Sequence, residues 1–346
     1  MKILHTADLH LGAKNSKLPL QKQRIMKEEE LVLLQKLFEK AKQDNFDALI
    51  IAGDLFHSKN VSRKLEKFFF DCVTNFEKPV IYVPGNHDEK FDLNLAAANF
   101  IILDENNPKY EIDNAVFWSV NASELLLKTM DTNKQNILVA HGDIYNSSSR
   151  DYLDLNKILS ENRFDYIALG HVHSFKKESI AGCTVCYPGS LFSNGFDEVG
   201  DKGYLEVNLS NHKITINFIA FAKRRYQIKE CDITGLNSFS SFKDAINKAL
   251  EDCGDGDLIR IILTGYFDEN TDKFLSSLEA SYANFFYFEI QDNSKLKIDF
   301  GKIRNEKLSF KAEFLTIVEQ SNESEEDKNK IMQLGIEALK GDDLSI

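Results

Sequence analysis

Ala48-Leu49-Ile50-Ile51-Ala52-Gly53-Asp54-Leu55-Phe56-His57 decides the reading of this chain. Five apolar residues with no polar interruption, stopped by glycine, spell a short strand covered on both faces, as in a parallel sheet. A carboxylate and an imidazole follow on the loop beyond its carboxyl end. The same phrase recurs on either side. Upstream, Ile3-Leu4 runs into Asp8-Leu9-His10. Downstream, Val80–Val83 leads to Gly85-Asn86-His87-Asp88, Ile137–Ala140 to His141-Gly142-Asp143, and Tyr166–Leu169 to Gly170-His171-Val172-His173. In an open α/β sheet such loops converge on one edge, so five segments far apart in sequence are expected to meet.

Between these strands the apolar spacing changes. Met26, Leu31, Leu34, Leu37, Phe38 and Ala41 predict one helix over 26–44. Val61, Leu65, Phe68, Phe69, Cys72, Val73 and Phe76 predict another. Strand–helix–strand alternation means a layered α/β domain. Strands at 115–120 and 183–187, and a hairpin of 203–209 with 213–221 around Asn211, extend it. Residues 225–292 read as strand, helix, strand, helix, strand, a smaller α+β unit. Beyond Gly301 come two apolar clusters: Leu308, Phe310, Phe314, Leu315, Ile317 and Val318, then Ile331, Met332, Leu334, Ile336 and Leu339. The acidic stretch Asn322–Asp327 separates them. The expected divisions are residues 1–222, 223–300 and a helical tail, 301–346.

Composition narrows the function classes. Five prolines and 17 glycines in 346 residues exclude a collagen-like or linker chain, and 43% apolar residues suffice for a sizeable core. No apolar run approaches the roughly 18 residues that span a bilayer. The first residues reach His5 and Asp8 too soon for a signal peptide. Five cysteines are too few, and odd in number, for a disulfide scaffold. A cytoplasmic globular protein without a membrane role is expected. The net charge of −12 argues against a basic surface that coats nucleic acid. It does not exclude a nuclease, because divalent cations supply positive charge locally.

The five loops carry carboxylate, amide oxygen and imidazole, a donor set suited to manganese, iron or zinc. They offer more donors than one ion needs. Two ions about 3.5–4 Å apart, bridged by a carboxylate, would use them and clamp an in-line displacement at phosphorus. Other candidates have plainer readings. His5 lies within a strand and belongs to the core, and His212 sits in a solvated turn. Cys183-Thr184-Val185-Cys186 has the spacing of half a zinc site or a redox pair. It lies in a strand, however, where positions three apart face opposite ways.

Asp-x-His, Gly-Asp, Gly-Asn-His-Asp, His-Gly and Gly-His-x-His, in this order, resemble the calcineurin-like metallophosphoesterase superfamily over about residues 1–220. His5–Gly12, Gly53–His57, Tyr187-Pro188-Gly189-Ser190 and Leu263-Thr264-Gly265 resemble, more narrowly, the SbcD-type DNA double-strand-break repair nucleases. The resemblance implies an α/β metallophosphoesterase sandwich with a capping domain. It implies two divalent metals, with manganese the expected ion. One would take Asp8, His10, Asp54 and His173; the other Asp54, Asn86, His141 and His171, with Asp54 bridging. His87 would face the scissile phosphate and stabilise or protonate the leaving oxygen. Asp88 is placed to orient His87, or else is a turn residue, and His57 would assist near the phosphate or pack its loop.

The implied activity is metal-dependent DNA hydrolysis, exonucleolytic on duplex ends and endonucleolytic on single strands. The implied partners are DNA, an SbcC-type coiled-coil ATPase gripped by the C-terminal tail, and a second copy of the chain. Phe68-Phe69-Phe70, with Leu93, Leu95, Ala96, Phe100 and Ile101, offers a dimer seam unless the monomer buries it. Lys223-Arg224-Arg225 could contact phosphate or form a solvated hinge. A phosphatase or cyclic-nucleotide phosphodiesterase on the same site is the alternative enzyme. A non-catalytic scaffold is the alternative class, opposed by the complete ligand set.

Overall fold

The computed structural model describes the chain apart from residues 14–16, 59–60, 89–95, 121, 123–126, 211–212, 269–270, 306–308 and 340–346, and the side chains of Glu161 and Glu337. Asn211, His212, Leu93, Leu95 and Leu308 of the sequence reading therefore lie outside the described residues. The chain divides into two compact units, Met1–Tyr226 and Gln227–Ile346.

Two six-stranded sheets form the first unit. In one, β1 (Lys2–Thr6), β2 (Ala48–Ala52), β3 (Val80–Val83) and β4 (Phe100–Ile102) run parallel, and β11 (Gly203–Ser210) and β12 (Lys213–Ala220) extend it antiparallel beyond β1. In the other, β6 (Ala115–Ser119), β7 (Gln135–His141), β8 (Tyr166–Gly170) and β10 (Cys183–Tyr187) run parallel between antiparallel edges β5 (Lys109–Ile112) and β9 (Lys176–Ile180).

The period-two alternation of β2 shows why the sheets stack. Leu49 and Ile51 pack outward under α1 (Leu20–Gln43) and α2 (Arg63–Phe76). Ala48, Ile50 and Ala52 pack inward with Phe117, Ile137, Val139, Tyr166 and Ala168 of the second sheet. The outer face of the second sheet is covered around α3 (Leu155–Glu161). Helices outside and two sheets inside make the layered sandwich that the sequence predicts. Strand polarity explains the loops: β1, β2, β3, β7 and β8 all deliver their carboxyl ends to the site described below.

Cys183 packs in the outer cluster and Cys186 between the sheets, so the pair faces opposite ways, and both are free thiols. His5 is fully buried, with Nδ1 2.8 Å from the Tyr166 hydroxyl across the sandwich. The aromatic triplet of α2 does not form the surplus apolar face expected of it. Phe69 and Phe70 are buried, Phe70 packs edge-on against Phe100, and Phe68 joins the same core. Phe70 is therefore a core residue of the monomer, not an exposed one at a dimer seam.

The second unit has a three-stranded sheet in the order β13 (Tyr226–Asp232), β14 (Leu258–Thr264), β16 (Tyr287–Asp292), with α4 (Phe239–Ala249) and α5 (Leu275–Ser281). Ser238 and Ser241 cap α4 reciprocally. The short β15 (Tyr266–Phe267) pairs with β17 (Lys295–Leu296). The tail forms α6 (Phe300–Arg304), α7 (Phe310–Glu319) and α8 (Glu325–Ala338). Leu315, Val318, Met332 and Ile336 bury one another against Ile298, Phe300 and Ile303. Gly335, a weak helix former, has a packing reason: a β-carbon there would lie 2.0 Å from the Phe314 ring.

Candidate metal centre

Asp8 and His10 follow β1, Asp54 follows β2, Asn86 and His87 follow β3, His141 ends β7, and His171 and His173 follow β8. Their backbones are bent to bring them together. Asp8, His10, Asp54 and His171 have φ of 51°, 41°, 50° and 104°, in the left-handed region that favours glycine. Such strain persists where surrounding contacts overdetermine it, commonly at functional sites. The contacts here include Asp8 N–H on the Gly53 carbonyl and His10 N–H on that of Asp54.

The loops are also tied through the side chains themselves. The His171 N–H donates to both Asp8 carboxylate oxygens, at 3.0 and 3.1 Å, and the His87 N–H donates to Asp54 Oδ1 at 2.9 Å. Two donor groups result: Asp8, His10 and His173, and Asp8, Asp54 and His141, with ligand atoms of each group within 4.8 Å of one another. His141 Nδ1 faces the Ala52 carbonyl at 2.9 Å, leaving Nε2 3.0 Å from Asn86 Oδ1 and 3.4 Å from Asp54 Oδ2. The His171 ring lies edge-on to His141, centroids 5.2 Å apart, outside both groups.

Electrostatics shows what this cluster lacks. Burial pushes the Asp8 carboxyl up to about 6 despite His141 and His173 nearby. Burial also opposes charge on Asp54, yet the hydrogen bond and charge of His141 hold it down at about 2. His141 is correspondingly drawn up to about 9 by Asp54 and Asp8, against its own burial. Burial takes His10 down to about 4. Two buried carboxylates thus draw a proton onto a neighbouring imidazole, and the two Nε2 atoms of His10 and His173 converge to 3.2 Å. Oxygen and nitrogen donors aimed inward, short of positive charge, fit divalent cations.

His87 and His57 form the exposed rim. Their rings stack at 5.9 Å and 14°, and each meets His10 edge-on. The Asp88 carboxylate accepts from the N–H groups of Leu55, Phe56 and Gly85 at 2.9–3.2 Å. Its hold on His87 therefore runs through the loop backbone rather than through the ring. Two residues escaped the sequence reading. Glu198 Oε1 lies 2.6 Å from His173 Nδ1, and the nearly inaccessible Lys202 donates to the His173 carbonyl at 2.5 Å. Neither belongs to a strand-end motif. The basic cluster is engaged elsewhere: Lys223 and Arg224 pair with Glu29, and Arg225 with Asp201.

The family model of the calcineurin-like phosphoesterases matches residues 1–175, about half of the chain and a span that holds all five loops. The chain belongs to the calcineurin-like phosphoesterases. A curated relative, the SbcD subunit of nuclease SbcCD from Staphylococcus saprophyticus, is 28% identical, over 72% of this chain and 75% of that protein. Among solved structures, TT1561 of Thermus thermophilus is 16% identical, with a TM-score of 0.44 over 63% of this chain and 98% of that one. A dimetal phosphatase from Danio rerio is 12% identical, with a TM-score of 0.46 over 63% and 95%. Among the described residues no helix is long and apolar enough to cross a membrane. As a calcineurin-like phosphoesterase the chain has divalent-metal phosphoester hydrolysis as its chemistry.

Proposed function

We propose that this phosphoesterase is a DNA nuclease of the SbcD type, acting on duplex ends and on single strands. The observation that carries the reading is the likeness to the SbcD subunit of nuclease SbcCD, which extends over more of the chain than the family model covers. The same likeness supports a role in double-strand-break repair and an SbcC-type ATPase as partner.

Asp8, His10, Asp54 and His173 would hold one metal, and Asp54, Asn86, His141 and His171 the other, with manganese the proposed ion. When bound, the ions polarise the phosphoryl oxygens and lower the pKa of water. The residues of the chain do the rest. Asp54 accepts from the His87 N–H, which ties His87 to the carboxylate that would be shared by the two metals. His87 stands at the exposed rim, where its ring can donate to a phosphate oxygen and protonate the departing oxygen. His57 lies beside it with its ring nearly parallel, near enough to assist at the phosphate. The strained loops keep this geometry in place before substrate arrives.

The direct test compares linear duplex DNA, single-stranded circles and a phosphomonoester, each with manganese. Both DNAs should be cleaved and the monoester turned over little. Preference for the monoester would favour the phosphatase alternative.

A further inference from the structure

We propose that Glu198 is a positioning residue that fixes the tautomer and orientation of His173, a partly exposed imidazole of the metal centre. The inference rests on the metal assignment above and adds a residue that no strand-end motif contains.

The segment from Ser190 to Lys202 grips His173 from three directions. On the ring, Nδ1 lies 2.6 Å from Glu198 Oε1, the geometry of an N–H donating to a carboxylate, while Nε2 faces His10 at 3.2 Å and Asp8 at 3.9 Å. On the backbone, the His173 carbonyl accepts from Lys202 Nζ at 2.5 Å and from the Ser190 N–H at 3.3 Å. Glu198 is itself held. Its Oε2 accepts from the Asn194 N–H at 3.1 Å, with Ser190 Oγ at 3.5 Å, and its carbonyl accepts from Ser193 Oγ at 2.7 Å. Lys202 is anchored in turn, its carbonyl taking the N–H groups of Phe221 and Ala222.

These contacts have a chemical consequence. His173 follows β8 on a loop and keeps a third of its side chain exposed, unlike the buried His10 and His141. Packing therefore constrains its ring less. With the proton on Nδ1 shared with a carboxylate, Nε2 is the basic nitrogen and points into the Asp8–His10 group. Carboxylate partners of this kind raise the basicity of an imidazole ligand, and removing them typically costs about 10–100-fold in metal affinity. The effect should fall on one of the two metals, because His173 belongs to only one donor group.

The experiment is calorimetric titration of manganese into the metal-free full-length protein, comparing wild type with Glu198→Gln and Glu198→Ala. Wild type should show two binding events. Glu198→Gln keeps shape and an acceptor but loses the charge, so one event should weaken by about 10-fold or more while the other stays within about threefold. The melting temperature of the metal-free Gln variant should match wild type, and raised manganese should restore its cleavage activity. Long-range nitrogen-15 correlation spectra of the metal-free protein should show His173 protonated on Nδ1 in wild type and lose that preference in the variant. Should Glu198→Ala fail to fold, the Gln variant decides alone. Two unchanged binding events in the Gln variant would overturn the proposal while leaving the metal reading intact. A wild type that binds no manganese would overturn both.

Discussion

His87 separates binding from chemistry at the scale of the single residue. It lies at the exposed rim and contributes to neither donor group, whereas Asp54 sits within 3.6 Å of both His10 and His141. His87→Ala should lower strand cleavage by roughly 10²–10⁴-fold, the usual worth of a general acid. It should keep two metals per chain by elemental analysis and bind DNA nearly as wild type does. Asp54→Ala should instead lose metal, since the proposed ligand sets place that carboxylate in both sites. A second residue-scale prediction concerns pH. Burial pushes the half-buried Glu30 carboxyl up to about 7, against the pull of the Gly12 N–H and of Lys27. A carboxyl raised above its ordinary 4.5 favours the folded state while protonated. Its contribution is complete below pH 4.5 and is lost as pH rises through about 7. Glu30→Gln removes that loss, so its melting temperature relative to wild type should rise between about pH 5 and pH 8. A constant difference across that range would contradict the assignment.

Elements explain which parts of the site were legible in the sequence. An unbroken apolar run followed by Asp, Asn or His announces a strand end, and a parallel sheet gathers such ends. Asp8, Asp54, Asn86 and His141 therefore stood out from the pattern alone. Glu198 and Lys202 did not, because they reach His173 from 25 and 29 residues away through a loop without periodicity. The aromatic triplet of α2 misled for a related reason. Spacing shows which residues share a face, but not that Phe100, from β4, covers Phe70. Gly170 marks a close approach of the two sheets beside the site. A β-carbon there would lie 1.7 Å from the Ala52 carbonyl oxygen of β2 and 2.9 Å from the Ala7 side chain. Backbone cannot yield as a flexible side chain does, so Gly170→Ala must separate β2 from β8. Overpacking of this kind costs roughly 1–3 kcal/mol or more. The variant should melt measurably lower and, since β8 delivers His171 and His173, bind manganese more weakly in titration.

At the scale of the whole molecule the tail carries the remaining prediction. Sequence alone left two outcomes: apolar helices that dock back, or helices that await a partner. The structure shows docking, with Leu315, Val318, Met332 and Ile336 buried against Ile298, Phe300 and Ile303. Ile336, expected as a partner anchor, is thus spent on the intramolecular cluster. Yet docking leaves apolar groups outside it: Phe310 is 85% exposed, Ile317 63% and Leu339 50%. Phe310 and Ile317 are seven residues apart and share one face of α7, the spacing by which a helix presents anchors to another helix. Truncation after Lys307 therefore cannot separate the two roles, because it strips Ile298, Phe300 and Ile303 of their cover along with any partner surface. Substituting the exposed face can. Phe310→Glu combined with Ile317→Glu alters no buried member of the cluster. The melting temperature and manganese-dependent cleavage should stay near wild type. Affinity for the proposed SbcC-type ATPase should fall by about 1,000-fold if each side chain is an interface anchor worth roughly 2 kcal/mol and the two losses add. Undiminished capture of that ATPase by the doubly substituted protein would place the partner surface elsewhere and leave α7 a purely structural helix.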